Sequence, residues 1–169
     1  MLVAGTQTIL VPTDFTDASE QALDAALELA QLWRASIELL HVNVDPTFLD
    51  MAPGGIIPIP VDLTEFNERK KELLEEAASR VRRAGLTCTT ATTTGKAHTE
   101  IVEYATKVGA GLVVMGNHEH TGIGGAILGH IAEKVVRHAP CPVLVIPWLA
   151  GREPQRVASP LVATPGTTV

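Results

Sequence analysis

Residues 113–130 combine side chains and backbone features that could do chemistry. The stretch begins with apolar residues, breaks at Gly116, and continues through small and polar residues toward a predicted helix. A strand, a glycine-containing loop and a helix start can build an anion site, because the first N–H groups of a helix have no acceptor within it. Three of the six histidines also lie here: His118, His120 and His130. The loop is therefore a candidate for binding phosphate or a metal ion.

The metal hypothesis rests on these three imidazoles, with Glu119 and Asp14 as further ligands of a zinc-like ion. The sequence contains no H-E-x-x-H helix spacing and no paired cysteines at zinc-finger spacing. We therefore favour solvated or loop-capping histidines and predict no metal site. No nucleophile elbow or catalytic carboxylate pair stands out either, so the sequence does not indicate an enzyme.

Composition narrows the classes of partner. The 169 residues carry a net charge of −6, which argues against non-specific binding to nucleic acid or to an anionic membrane. No apolar run approaches the roughly 20 residues that span a bilayer, and no signal peptide pattern opens the chain. Two cysteines without metal spacing are typical of reduced thiols. We expect a soluble, cytoplasmic protein without membrane insertion.

Apolar periodicity predicts strands that alternate with helices. Strands are predicted over residues 7–12, 35–44, 86–94, 110–115 and 143–147, and helices over 19–33, 62–84, 95–108 and 127–138. The third strand is rich in threonine and is expected at a sheet edge. This alternation predicts right-handed crossovers and a parallel sheet covered by helices on both faces, an open, doubly wound α/β fold.

The same pattern suggests a domain over residues 1–150 and a disordered tail over residues 151–169, which mixes Pro, Gly, Ser and Thr. The Pro- and Gly-rich loop 45–60 is too apolar for a free linker, and we expect it to pack on the domain or on a partner. Asp17 or Ser19 is expected to cap the first helix. The last helix is expected to bury two rows of residues: Ile127, Ile131, Val135 and Leu128, Ala132, Val136.

Ligands of such sheets bind at the carboxyl ends of strands where the strand order reverses. The first strand ends before Asp14, and the fourth ends at Gly116. The fold therefore predicts a binding site at the loop described above.

From residue 7 to residue 147 the chain resembles the universal stress proteins. The resemblance is carried by Ile9–Asp14, by Leu40-His41-Val42, and by the runs Val114-Met115-Gly116 and Leu128–Val145. It implies a five-stranded parallel sheet of order 3-2-1-4-5. It also implies a homodimer, in which the last strand, about Val143–Ile146, pairs across a two-fold axis.

The ATP-binding members of the family carry a motif resembling Gly-x2-Gly-x9-Gly-Ser/Thr. Here Gly116 and Gly129 match, whereas Glu119 and His130 replace the second glycine and the Ser/Thr. Glu119 would place a negative charge near phosphate; at about 5 Å the repulsion is roughly 3 kcal/mol at an effective dielectric near 20. His130 can donate an N–H and would favour an anion when it is protonated.

The resemblance implies a dimeric stress-response module that binds ATP or a related adenine nucleotide, with or without Mg. Asp14 would meet the ribose or a metal ion, and backbone near Val42 the adenine edge. The remaining implied contacts are Pro12 and Thr13 in the pocket wall, Met115 at the base or ribose, and Gly116, Gly129 and His130 at the phosphates. Any ATP hydrolysis would be slow and incidental. The alternative is a non-binding interaction module of the same family, whose protein partners the sequence does not identify.

Overall fold

The structure, a computed structural model, describes residues 7–43, 64–117 and 128–147. Within them the chain alternates strictly between strand and helix. The strands are β1 (Thr8–Thr13), β2 (Ser36–Asn43), β3 (Cys88–Thr94), β4 (Leu112–Asn117) and β5 (Val143–Pro147). The helices are α1 (Asp17–Trp33), α2 (Thr64–Arg83), α3 (Ala97–Val108) and α4 (His130–His138).

The five strands form one parallel sheet of order β3-β2-β1-β4-β5, which confirms the predicted fold and strand order. The threonine-rich strand β3 lies at an edge, as its composition predicts. Every described helix runs back against the strands, so the first turns of all four lie at the carboxyl edge of the sheet.

Successive residues of each strand bury their side chains on opposite faces of the sheet. Ile9 and Val11 of β1 join the core beneath α1 and α2, and Leu10 joins the core beneath α3 and α4. All three side chains are fully buried. The central strands are therefore apolar on both faces, which explains their continuous apolar runs in the sequence.

Helices α1 and α2 are joined by two ion pairs that share one arginine. Arg80 of α2 donates to Glu20 at 2.6 Å and also to Asp24, both on α1. Burial raises the pKa of Asp24, although the neighbouring Arg80 charge opposes this effect. Because one oxygen of the Asp24 carboxylate is buried without a partner, this carboxylate depends on Arg80 for its compensation.

The last helix differs from its prediction. α4 begins at His130, three residues later than residue 127, and only Ala132 and Val135 among its apolar side chains are buried. The expected burial of Leu128, Ile131 and Val136 is wrong: they are 37%, 45% and 47% exposed. A short helix at the end of a sheet presents only a narrow stripe to the core.

The cap of α1 is also predicted wrongly. Thr16 is the N-cap and makes no side-chain capping bond, while the Ser19 hydroxyl donates to the Thr16 carbonyl. None of the described helices combines the length and apolarity needed to cross a membrane. The loop 45–60 and the tail 151–169 lie outside the described residues, so their predictions and the domain boundaries remain predictions.

Candidate functional site

The neighbouring strands β1 and β4 separate toward their carboxyl ends. They pair at only two positions, Ile9 with Leu112 and Leu10 with Val113. Beyond these, β1 stays paired with β2 as far as Thr13, and β4 stays paired with β5 as far as Asn117. The strand order reverses here, so a crevice opens between residues 11–13 and 114–117, at the place where doubly wound folds bind ligands.

A hydrogen-bonded turn forms one wall of this crevice. The buried Thr13 hydroxyl donates to the Ser19 hydroxyl at 3.1 Å and accepts the Phe15 N–H at 3.1 Å. Next to it, the exposed Asp14 carboxylate accepts from the Thr16 N–H at 3.2 Å and the Thr16 hydroxyl at 2.5 Å. These bonds fix the turn, and the carboxylate of Asp14 remains at the solvent side of the crevice.

The side chains of Phe15 and His41 stabilise this turn. Phe15 has a φ of 65°, a left-handed conformation that is costly for a bulky side chain. Its ring lies 4.7 Å from that of His41, whose Nδ1–H donates to the Thr13 carbonyl at 2.9 Å. Burial lowers the pKa of His41, so the imidazole is neutral near pH 7 and acts as a fixed support for the turn.

Gly116 of β4 lies in the opposite wall of the crevice, where close packing leaves no room for a side chain. A Cβ at Gly116 would lie 2.4 Å from the Ala18 carbonyl oxygen and 2.5 Å from the carbonyl carbon. The first turn of α1 therefore rests directly on the backbone of β4. The glycine was predicted as a phosphate contact, but the structure gives it a packing role that holds with or without a ligand.

Asn117 is a site residue that the sequence analysis missed. It is 5% exposed at the end of β4, and its Oδ1 accepts the Gly129 N–H at 2.7 Å. This bond ties the start of α4 to the crevice. It also occupies the Gly129 N–H that was predicted to meet phosphate. The available signal was an Asn placed directly after the strand-breaking glycine, since Asn side chains readily cap nearby backbone.

The first free N–H groups of α4 follow this tether. Gly129 is the N-cap, and the first intrahelical bond runs from the Glu133 N–H to the Gly129 carbonyl at 2.9 Å. The N–H groups of residues 130–132 precede that bond and have no acceptor within the helix. His130, the first helical residue, is exposed beside them. An anion can bind here without displacing a helix bond.

The other predicted site residues lie around the crevice in different environments. Pro12 is buried in β1, and the Met115 side chain is buried in the core beneath α3 and α4 rather than in the crevice. Val42 is half-buried and lies one residue beyond the last β1–β2 pair, Thr13 with His41. Its backbone on that side therefore lies past the last residue of β1 that pairs with β2.

Within residues 7–43, 64–117 and 128–147, no three His, Cys, Asp or Glu side chains are grouped to hold a metal ion. The predicted metal ligands His118 and His120 fall outside those ranges, as does Glu119. In the last turn of α4 the His138 imidazole contacts the Lys134 carbonyl through Nδ1 at 2.8 Å. The thiols of Cys88 and Cys141 are free.

Comparisons with known proteins agree with this architecture. A family model described as the universal stress protein family matches residues 5–147. The universal stress protein YxiE of Bacillus subtilis is 32% identical over 143 residues, with 82% of this chain and 97% of that protein covered.

Two similar solved structures are complexes with nucleotides. A universal stress protein in complex with cAMP is 26% identical, with a TM-score of 0.63 and coverage of 84% of this chain and 97% of that one. The universal stress protein from Archaeoglobus fulgidus in complex with dAMP is also 26% identical, with a TM-score of 0.60 and coverage of 84% and 98%.

Proposed function

This chain belongs to the universal stress protein family, and on that premise we propose that it binds an adenine nucleotide in the crevice between β1 and β4. The observation that carries the proposal is the separation of these two strands beside the tethered start of α4. The cAMP and dAMP bound by similar proteins support the ligand class. Binding would serve a regulatory role in a stress response, in which occupancy changes affinity for protein partners.

Residues of this chain are suited to bind the phosphates, the ribose and the base of such a ligand. The N–H groups of residues 130–132 and the His130 imidazole would receive phosphate oxygens. The exposed Asp14 carboxylate would receive ribose hydroxyls or a magnesium ion carried by the phosphates. The backbone near Val42 would meet the base. A bound nucleotide supplies negative charge, and the helix start is suited to receive it.

Two residues of the motif that runs from Gly116 to His130 would oppose or modify this binding. Glu119 adds a negative charge, and His130 replaces a hydroxyl with an imidazole. The alternative function, a module without nucleotide that acts only through protein association, follows if these changes abolish binding. They are therefore the positions at which the two functions can be distinguished.

Titration calorimetry with ATP and with AMP, each with and without magnesium, tests the proposal. We expect saturable binding of at least one nucleotide at micromolar to millimolar concentration. The paired change Glu119→Gly and His130→Ser should strengthen ATP binding by about two orders of magnitude if the Glu119 carboxylate faces the phosphates. Absence of heat and of bound nucleotide at millimolar ligand in the unaltered protein would support the interaction module instead.

We also propose a homodimer through β5, for which an exposed apolar surface gives support. Among the described strands β5 pairs only with β4, so its outer edge is open to another strand. Leu144 on β5 is 38% exposed, and Ile131 and Val136 of α4 are exposed near the same edge of the sheet. Such a surface is typical of a contact between subunits.

Sedimentation velocity can test the dimer with a matched pair of leucine variants. Leu144→Glu should shift the protein toward monomer, because it would bury a charge in the interface. Leu32→Glu places the same charge on α1, where Leu32 is 76% exposed, and should leave the mass unchanged. A monomeric parent protein, or a dimer that withstands Leu144→Glu, would count against pairing through β5.

Among the described residues of the crevice none calls for a chemical step, and we propose that the protein is not an enzyme beyond slow, incidental ATP hydrolysis. We also propose a cytoplasmic location, because two cysteines without metal-ligand spacing are typical of thiols kept reduced in the cytosol. Cell fractionation would test the location.

A further inference from the structure

Polar side chains of β2 and α2 lie next to the turn that carries Asp14. His41 and Asn43 are two residues apart on β2, so both side chains lie on the face of the sheet that α2 covers. His41 donates from Nδ1 to the Thr13 carbonyl at 2.9 Å. Lys70 of α2 donates to the Asn43 Oδ1 at 3.0 Å. A lysine of α2 is therefore held beside the histidine that supports the turn.

The contacts of His41 determine which ring nitrogen carries the proton. A carbonyl oxygen can only accept, so Nδ1 must hold the hydrogen that it shares with Thr13. The Nε2 atom is buried and has no hydrogen-bond partner among the described residues. Because His41 is only 5% exposed, a second proton on Nε2 would place a charge away from water. The surroundings of the ring thus favour one neutral form.

Lys70 strengthens this preference through its charge. Burial has the largest effect on the pKa of His41 and lowers it, whereas the bond to Thr13 raises it and the Lys70 charge lowers it again. The Asn43 amide and the Asp14 carboxylate act less strongly and raise it. Because the bond to Asn43 holds the Lys70 ammonium at this end of β2, its charge stays near the ring.

The bond from His41 fixes the peptide group that precedes Asp14. The Thr13 carbonyl belongs to this planar group, so its direction also sets the direction of the Asp14 N–H. The Phe15 ring lies 4.7 Å from the imidazole and limits the space in which the imidazole can turn. The orientation of one imidazole therefore contributes to where Asp14 lies in the crevice.

We propose that His41, in its neutral form, positions Asp14 for the ligand of the crevice, and that Lys70 acts through His41 by favouring that form. Both are positioning residues, since neither needs to touch the ligand. The effect on the ligand rests on the proposed nucleotide function. The effect on Asp14 needs no ligand, so it can be measured separately.

Two substitutions of His41 separate its hydrogen bond from the rest of the ring. In His41→Asn the amide nitrogen takes the place of Nδ1 and can donate to Thr13, whereas the longer side chain of His41→Gln places it near Nε2. Adenosine, which carries no phosphate, should bind His41→Gln about fivefold to tenfold more weakly than the parent, and His41→Asn within about twofold, in NMR titrations at pH 7.5. Both variants lose the ring contact with Phe15, so both should lose stability.

The ligand-free protein provides an independent measurement. In isotope-labelled protein the Asp14 amide signal should shift in His41→Gln and stay near its parent position in His41→Asn. The imidazole nitrogens of the parent should show a proton on Nδ1 only at pH 7.5. If the parent binds no adenosine, the nucleotide proposal fails, and these signals still decide whether His41 positions Asp14.

Lys70→Gln tests the contribution of the lysine. Removal of its charge should move the NMR titration of the His41 imidazole to higher pH. Lys71→Gln removes an equal charge from the next residue, which is exposed and paired with Glu68 at 2.8 Å, and should leave that titration nearly unchanged. Identical titrations in the two lysine variants would overturn the role of Lys70.

The role of His41 is overturned by any of three results. The first is a proton on Nε2 rather than on Nδ1 at pH 7.5. The second is an Asp14 amide signal that responds in the same way to His41→Gln and His41→Asn. The third is equal adenosine affinity in these two variants when the parent binds adenosine.

Discussion

Replacing Gly116 with alanine tests whether the contact between α1 and β4 builds the crevice. The added methyl carbon would lie 2.4 Å from the Ala18 carbonyl oxygen and 3.0 Å from the Ala18 Cβ. Nonbonded carbon atoms rest at roughly 3.5–4.0 Å, so the helix and strand must separate by about 1 Å. Both groups on the helix side belong to the first turn of α1, which has little freedom because the bonds from Thr13 and Ser19 hold it.

Overpacking of this kind typically costs about 1–3 kcal/mol. For a domain of this size each kcal/mol shifts the melting temperature by roughly 2–4 °C, so we expect a decrease of about 2–12 °C. Urea denaturation followed by circular dichroism, with thermal melts, measures the loss. Because α1 and β4 form opposite walls of the crevice, nucleotide affinity should fall as well, and calorimetry on the folded variant measures that change.

Gly109→Ala is the matched control. Gly109 ends α3 with a φ of 62°, and a Cβ there would meet nothing within 4 Å. Alanine in that left-handed conformation costs about 1–2 kcal/mol, but the position lies at the other end of α3 from the crevice. Both variants should lose stability, and only Gly116→Ala should lose affinity. A Gly116→Ala protein within about 0.5 kcal/mol of the parent would refute the packing argument.

Three further outcomes follow from charge and burial. Arg80→Gln should lower the free energy of unfolding, measured by urea denaturation, by about 1–3 kcal/mol, because it leaves the carboxylate of Asp24 uncompensated. Arg82→Gln breaks an exposed ion pair and should lower it by less than about 1 kcal/mol. Equal losses in the two variants would contradict this reasoning. The folded state lowers the pKa of His41, so stability should fall as pH drops below about 6.5, by at most about 1.4 kcal/mol per pH unit, and urea midpoints for His41→Asn should show a shallower slope. Burial raises the pKa of both thiols, that of Cys88 to about 11. A thiol reagent at pH 8 should label Cys141 first, because Cys141 is half-buried and Cys88 is buried; faster labelling of Cys88 would contradict this.

Much of the site's framework could be predicted from the sequence. Continuous apolar runs identified the central strands, and glycine- and proline-containing turns separated them from the helices, because burial on both faces leaves little room for polar residues. The strand bounds differ from the prediction by at most two residues, and the last strand, Val143–Pro147, agrees at both ends.

The predictions for α4 show that apolar spacing in a sequence does not decide which side chains of a helix are buried. Its apolar residues fit a helix with two buried rows, yet Ile131 and Val136 are exposed. Periodicity reports that a side chain faces away from the polar side; it does not report whether a covering element exists there. At this end of the sheet none of the described elements covers Ile131 and Val136. These two exposed residues instead support the proposed dimer surface.

The sequence by itself determined the alternating elements, the parallel sheet and the location of the loop between β4 and α4, since these depend on local pattern and on the chain order of strands. Only the tertiary structure decided how the crevice is built. The contact of Gly116 with Ala18 and the bond from Gly129 to Asn117 join residues that are separated in the chain. Such contacts depend on how packed layers approach each other, to within a few tenths of an ångström, and local sequence pattern carries no record of that distance.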